Sequence, residues 1–409
     1  MRLLAHAFRR ERVFIHLLCV DDVRFSRRAE DTMESYIMKL ISVANEPGMI
    51  SFATGLPDRR LFDVKGIAEA AKDVLNGDPK DALQYGITEG LPALREKIAE
   101  RCKKELGFNT SIDNIFITNG SQECFDHLGK LFIDPDDEMM IENPGYLGAL
   151  QSFSVYSPKF LGIDVNENGP NMDQVRSAFG KNPKLYYAVP NHQNPSGISY
   201  SDDARKEIAE LLKGNECLMI EDDAYGELGF KGRVRKTIRS MNDGIVMTGS
   251  YSKIISPGMR VGWMIVPDEL VSPVRKSLEA SCLHANTFSQ AIMNRFLEKN
   301  NLSEYLKPIR NEYGRKCRLM LDLLNDNFQD GPSWNEPDGG MFIWFRTPKG
   351  TDASKLFEAA LKQKVVVMPG KPFHVKGGET TIRLNYATAS DEEMKDGMKR
   401  LRNAYRGVF

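Results

Sequence analysis

The chain has no Cys-x-x-Cys pair, and its six cysteines, at 19, 102, 124, 217, 282 and 317, are scattered along its length. No histidine stands at zinc-ligand spacing from them, so the sequence reads as that of a reduced, metal-free, cytoplasmic protein. Long apolar runs are missing too. The longest, Val13 to Val20, includes His16 and falls well short of the roughly 18 apolar residues that a membrane span needs. Charge is nearly balanced, with 55 Lys and Arg against 56 Asp and Glu, and like charges never form a long block. Nucleic acid therefore finds no electrostatic footprint, and the expected partner is a small molecule. No internal repeat or low-complexity tract interrupts the pattern. What remains is ordinary for a globular chain: 409 residues, 41% hydrophobic and 27% charged, enough for a large domain and a smaller one.

The first 29 residues stand apart. Arginines at 2, 9, 10, 12, 24, 27 and 28 surround the short apolar stretch, yet Glu11, Asp21 and Asp22 and the scarcity of serine are wrong for a transit peptide. The segment reads as a poorly ordered tail or a misassigned start. From Glu30 to Ala44, Met33, Ile37, Leu40, Ile41 and Ala44 recur at helical spacing, which predicts one amphipathic helix. A short strand is expected over Met49 to Ala53, then a loop through Gly55, then helices over Val64 to Leu75 and Pro92 to Leu106.

The middle of the chain alternates short apolar runs with helical stretches. The runs are Ile115 to Thr118, Glu138 to Ile141, Phe160 to Ile163, Lys184 to Val189, Cys217 to Ile220 and Ile245 to Met247. Such alternation predicts an α/β fold with a mostly parallel sheet covered by helices. Ligands in such sheets gather outside the carboxyl ends of the strands, where five loops carry the unusual residues. Downstream, a long helical region from Pro267 to about Asn300 and a helix from Tyr305 to Asn327 lead to strands over Gly340 to Phe345, Val365 to Met368 and Thr381 to Asn385. A helix from Asp391 to Tyr405 closes this smaller α+β part.

The densest chemistry lies between Gly249 and Trp263. Lys253, Ser250, Ser252 and Arg260 offer an amine, two hydroxyls and a guanidinium, which one aldehyde phosphate would satisfy together. A solvated lysine and a surface salt bridge are the structural alternative. Asp222, directly after an apolar strand, is an acid that needs a cationic partner, and a protonated pyridine nitrogen would be one. With period-two alternation its neighbours Glu221 and Asp223 should point away. Tyr225 and Asn194 can donate to a phenolate oxygen, though Asn194-Pro195-Ser196-Gly197 is also a plain turn. Ser121 and Gln122, between a strand and a helix expected to begin near Glu123, form an anion site or a cap. Tyr146 could stack on a pyridine face. Arg383, on an alternating strand, could grip a carboxylate or form a cross-strand salt bridge. Together these groups point to pyridoxal phosphate.

In this order, Asn-Pro-x-Gly, Asp-x-Ala-Tyr, Ser-x-Ser-Lys with Arg seven residues on, and Ile-Arg-Leu, the chain from about residue 30 onward resembles the fold type I pyridoxal-phosphate enzymes. It is most similar to the class I/II aminotransferases, in the branch with 2-aminoadipate, kynurenine and aromatic aminotransferases. The resemblance implies Lys253, Asp222 and Tyr225 as catalytic residues. It implies Ser121, Gln122, Tyr146, Asn194, Ser250, Ser252 and Arg260 as further cofactor contacts, and Arg383, Asn194 and Gly55 at the substrate. Tyr85 matches a tyrosine that reaches the phosphate of the second subunit, which implies a homodimer. Expected domains are a tail over 1–29, a helix and arm over 30–62 joined to the small domain, a large cofactor domain over 63–300 and a small domain over 301–409. The implied activity is ping-pong transfer of an amino group from an L-amino acid, apolar or aromatic or 2-aminoadipate-like, to a 2-oxo acid such as 2-oxoglutarate, through a Lys253 aldimine. A lyase, a decarboxylase and a cofactor-sensing regulator are the alternatives. The stretch Ser35 to Leu40 has Lys39 but no arginine to hold an acidic side chain, which favours apolar or aromatic donors.

Overall fold

The computed structural model describes residues 25–33, 36–77, 79–232 and 236–409, without the side chains of 31, 37, 39 and 41. The tail assigned to 1–29 therefore lies outside the described residues up to 24, and so does any role for the Lys39 side chain. Residues Arg27–Asp31 form a short helix, and a second runs over Tyr36–Ala44, in place of the single helix expected from Glu30. Between them the Met33 backbone is drawn to another helix: its N–H meets Ser154 Oγ at 3.4 Å and its carbonyl accepts from Gln151 Nε2 at 3.0 Å.

The strands, in chain order, are β1 Ile50–Ser51, β2 Ile115–Thr118, β3 Glu138–Asn143, β4 Lys159–Asn166, β5 Gly169–Pro170, β6 Leu185–Ala188, β7 Leu218–Asp222, β8 Val246–Ser250, β9 Gly262–Ile265, β10 Ser333–Trp334, β11 Phe342–Arg346, β12 Val365–Val366, β13 Met368–Pro369 and β14 Thr381–Asn385. Eight of them form one sheet in the order β2-β9-β8-β7-β6-β3-β4-β5. Its centre, β8-β7-β6-β3-β4, is parallel, as the alternation of runs and helices predicts. β9, unforeseen within the lysine-bearing run, inserts antiparallel to both β8 and β2.

Alternate residues of the central strands feed separate cores on the two faces. Met139, Ile141, Leu185, Tyr187 and Ile220 pack in the larger cluster, and Met140, Tyr186, Ala188 and Met219 in the smaller. Both faces are apolar because helices cover both, which is why these strands read as continuous apolar runs. Asp222 shares the parity of Ile220, so its side chain belongs to the face of the larger core.

A second sheet, β10-β11-β14-β13, is antiparallel throughout. The amino-terminal segment joins this end of the molecule, since β1 pairs parallel with β12 and Asn385 N–H donates to Phe52 O at 2.7 Å. The long helical region expected over Pro267 to Asn300 is two helices, Asp268–Ser281 and Thr287–Lys299, and the next begins at Leu302. The helix expected over Pro92 to Leu106 widens towards its end: α-helical to Arg101, it becomes a π turn over Cys102–Leu106.

Candidate active site

At the carboxyl ends of β6, β7 and β8 lies a cavity of about 120 Å³, lined by Ser121, Gln122, Tyr146, Asp222, Tyr225, Ser250, Ser252, Lys253 and Arg260, with Val189, Ala224 and Pro257. Asp222 closes β7 and is 2% exposed. Its carboxylate accepts from Tyr187 Oη at 2.7 Å and Thr248 Oγ1 at 3.0 Å. The cationic partner expected from sequence is replaced, within the chain, by two neutral hydroxyls. Burial pushes the Asp222 carboxyl up to about 6, against the pull of those two hydrogen bonds and of Lys253. A carboxylate so desolvated gains from a cation placed beside it. Glu221 and Asp223 do turn elsewhere: Glu221 accepts the Ile238 and Arg239 amides, and Asp223 accepts from Asn191.

Lys253 sits in the turn that follows β8. Its Nζ donates to Gly55 O at 3.1 Å. Burial, with the Arg383 and Arg260 charges beside it, lowers its amine to about 8, while Asp222 pulls the other way. Arg260 does fold back toward the hydroxyls, with Nη1 at 3.4 Å from Ser252 Oγ, and Nη2 donates to Asn119 O at 2.8 Å. It does so from a left-handed backbone, φ 53° and ψ 50°, which an arginine adopts only under local constraint.

The helix over Ser121–Phe132 begins two residues earlier than expected, with Gly120 at φ 95° as its cap residue, which has no side chain to cap the first amides. Ser121 is therefore not the capping serine. The Ser121 and Gln122 amides open the helix toward the cavity, where the helix dipole favours an anion. Two glycines make room for this: a Cβ on Gly262 would lie 2.6 Å from Gly120 C and Ser121 N, and one on Gly120 would strike the Arg260 guanidinium.

Arg383, central in β14, is 2% exposed. The cross-strand salt bridge is excluded, because its register partners are Trp344 and Met368. Nη1 donates to Asn194 Oδ1 at 2.8 Å, Nη2 donates to Ala53 O, and Nε is buried with no acceptor. The guanidinium lies 4.4 Å from the Phe342 ring centre and 5.0 Å from that of Phe373. Burial lowers it to about 10, with no carboxylate among the groups acting on it. Asn194 in turn donates to Tyr225 Oη at 3.1 Å, so one amide joins the guanidinium to the cavity wall.

Nine of the residues singled out from sequence thus line one cavity, and Asn194, Gly55 and Arg383 adjoin it through hydrogen bonds. Tyr85 does not; it is 78% exposed and edge-on to His284. Tyr187 and Thr248, which hold Asp222, went unnoticed. Thr248 had a signal in the parallel register, where it faces Asp222, and a tyrosine inside an apolar strand needs a hydroxyl partner. Glu123, His127 and Cys282 bring ligand-type atoms within 4.8 Å of one another, a cluster the spacing did not suggest. The Glu123 carboxylate is taken by Asn119, through its N–H at 2.5 Å and Nδ2 at 3.2 Å.

The sequence profile of the family described as Aminotransferase class I and II matches residues 47–401. The chain belongs to the class I and II aminotransferases. It is 33% identical over 386 residues to aromatic-amino-acid aminotransferase 1 of Thermococcus litoralis, covering 92% of this chain and 93% of that one. The crystal structure of an α-aminoadipate aminotransferase from Thermus thermophilus, complexed with N-(5'-phosphopyridoxyl)-L-leucine, is similar with a TM-score of 0.87 and 34% identity over 94% and 97% of the two chains. A Pyrococcus horikoshii kynurenine aminotransferase gives 0.89 and 32% over 94% and 97%. The fold is accordingly fold type I, the cofactor is pyridoxal phosphate and the chain is an aminotransferase.

Proposed function

We propose that the cavity beside β7 and β8 holds pyridoxal phosphate, with Lys253 as its covalent anchor and proton carrier. The residues fit the group. Gly120 and Gly262 clear a cradle that a Cβ would fill, the Ser121 and Gln122 amides with Ser250, Ser252 and Arg260 suit a phosphate, and Asp222 suits a protonated ring nitrogen. Asn194 and Tyr225 suit the phenolate oxygen, and Tyr146 the ring face. The bound cofactor supplies an aldehyde for amine exchange and an electron-withdrawing ring that stabilises charge on the substrate carbon.

The chain's own groups do the rest. Asp222 keeps a proton on the ring nitrogen, helped by the Tyr187 and Thr248 hydroxyls that stop it rotating away. Lys253, lowered to about 8, has a neutral fraction near neutral pH and can take the proton from the amino acid Cα. Arg383 orients the substrate by its α-carboxylate, which selects Cα–H for cleavage over the carboxylate bond. The observation that carries this reading is Arg383 itself: a buried guanidinium between two phenyl rings, its Nε without an acceptor, near the half-buried Lys253. A carboxylate would satisfy it.

The rings of Phe342 and Phe373, and the missing arginine in 35–40, support apolar or aromatic L-amino acids as donors and 2-oxoglutarate as acceptor. The exposed Tyr85 supports a homodimer in which it meets the partner's phosphate. The cytoplasm is the proposed compartment, with domains over 63–300 and 301–409 and the 30–62 arm joined to the latter. Among the described residues no helix is long and apolar enough to cross a membrane. The test is a half-reaction screen: enzyme with one amino acid and no acceptor should yield pyridoxamine phosphate and the keto acid, fastest with aromatic donors. Release of CO2 instead, or turnover of dicarboxylic donors alone, overturns the reading.

A further inference from the structure

Three consecutive carbonyls in the loop after β1 each accept a hydrogen bond from a different side chain at the site. Ala53 O accepts from Arg383 Nη2, Thr54 O from Asn385 Nδ2 at 2.6 Å and Gly55 O from Lys253 Nζ at 3.1 Å. A loop holding three donors in register must itself be held, since a free backbone loses conformational entropy when it is fixed. The holding group is three residues on. Asp58, 4% exposed, accepts from Lys316 Nζ at 3.0 Å, and Lys316 is 1% exposed. Arg60 closes on the same carboxylate from outside, with Nη2 at 2.8 Å.

Both halves of the clamp come from one helix, Leu302–Asn327, on which Tyr313 and Lys316 are three apart and share a face. Tyr313 Oη accepts the Asp58 N–H at 3.1 Å. Lys316 also donates to Ala387 O at 2.6 Å, two residues past Asn385, whose own Oδ1 accepts the Ala387 amide at 2.6 Å. The lysine therefore grips the 53–58 loop and the end of the strand that carries Arg383 at once.

We propose that Asp58 and Lys316 are positioning residues, acting through the carbonyls of 53–55 to set the place of the Lys253 amine and the Arg383 guanidinium. This rests on the proposed role of Lys253 and goes beyond it, since neither residue touches the cavity. The pair is buried, so removing Asp58 leaves the Lys316 charge unmatched, and removing Lys316 leaves Asp58 held only from outside by Arg60; either change frees the loop to shift. Gly55 O then no longer accepts from the Lys253 ammonium. Losing that bond disfavours the charged amine.

The test uses the full-length chain freed of pyridoxal phosphate, with Asp58→Asn, Lys316→Met and Lys316→Arg variants whose melting curves establish that each is folded. Acetic anhydride labelling across pH, with Lys253 read by peptide mass spectrometry, reports its titration without any activity. The midpoint should fall by at least about 0.5 pH unit in Lys316→Met and Asp58→Asn and return toward wild type in Lys316→Arg, which keeps charge and donors. In the loaded enzyme, KM for the amino acid should rise about tenfold in the same two variants, more than kcat falls. An unchanged or raised midpoint in a folded Asp58→Asn or Lys316→Met variant overturns the proposal. Should Lys316→Met fail to fold, the near-isosteric Asp58→Asn decides alone. Failure of Lys253 to carry cofactor in wild type would instead sink the proposed function, and the labelling profile would still rule on the pair.

Discussion

At the amino ends of β3, β6 and β7 an open cleft of about 690 Å³ is lined by Lys130, Asp134, Asp137, Lys184 and Glu216 among others. At the opposite ends of the same sheet the cavity is about 120 Å³, and its charged groups are Asp222, Lys253 and Arg260. The cleft is larger and as rich in charge. Its lysines, Asp134 and Glu216 are exposed, however, whereas Asp222 is 2% exposed and Lys253 is half-buried with its amine on Gly55 O; Arg260, though exposed, donates to Asn119 O. Charges left in water do little chemistry, and charges held out of it change their proton affinity and wait for a partner. The comparison teaches that desolvation and convergence mark the site better than volume does.

The difference can be broken or sharpened by mutation. Lys253→Ala should lower kcat by about 10⁴-fold or more, measured as single-turnover loss of the amino acid, because both the covalent anchor and the proton carrier disappear. Asp222→Ala should cost of the order of 10²–10³-fold in the same assay, since the hydroxyls of Tyr187 and Thr248 remain but no anion faces the ring. Retention of wild-type rates would make Asp222 a structural acid. Arg383→Lys should raise KM for α-amino acids roughly 10- to 100-fold and leave amines lacking the carboxylate unaffected, because an ammonium cannot repeat a planar grip.

A stability experiment separates the two ends in another way. Lys253 is lowered to about 8 in the fold from its ordinary 10.5, so between those values the unfolded chain binds more protons than the native one. Stability of the cofactor-free protein should rise with pH across that window, and the cost is fully present below it. Lys253→Met should therefore stabilise the cofactor-free chain by about 1–2 kcal/mol at pH 7, read from urea unfolding. At the amino ends, Lys184→Ala and Glu216→Ala should change neither turnover nor stability by more than about 0.5 kcal/mol.

Much of this contrast was legible in the residues, because buried parallel strands write themselves as apolar runs and their carboxyl-end loops carry the polar exceptions. β2 and β14 appear with the expected bounds, and Lys253, Asp222, Tyr225 and Arg260 meet as their order implies. What stayed hidden depends on distant parts of the chain. β9 was masked by its place at the end of a run read for chemistry, and the Met33 backbone is held by side chains of residues 151 and 154. The partners of Asp222 required the strand register, and the clamp on Asp58 comes from a helix more than 250 residues away.

The most direct measurement is borohydride reduction of the full-length protein loaded with pyridoxal phosphate, followed by peptide mass spectrometry. The account predicts that the phosphopyridoxyl mass appears on Lys253, and that lysines of the amino-end cleft such as Lys130 and Lys184 stay unlabelled. Label on those lysines with Lys253 free, or no label at all, would contradict it.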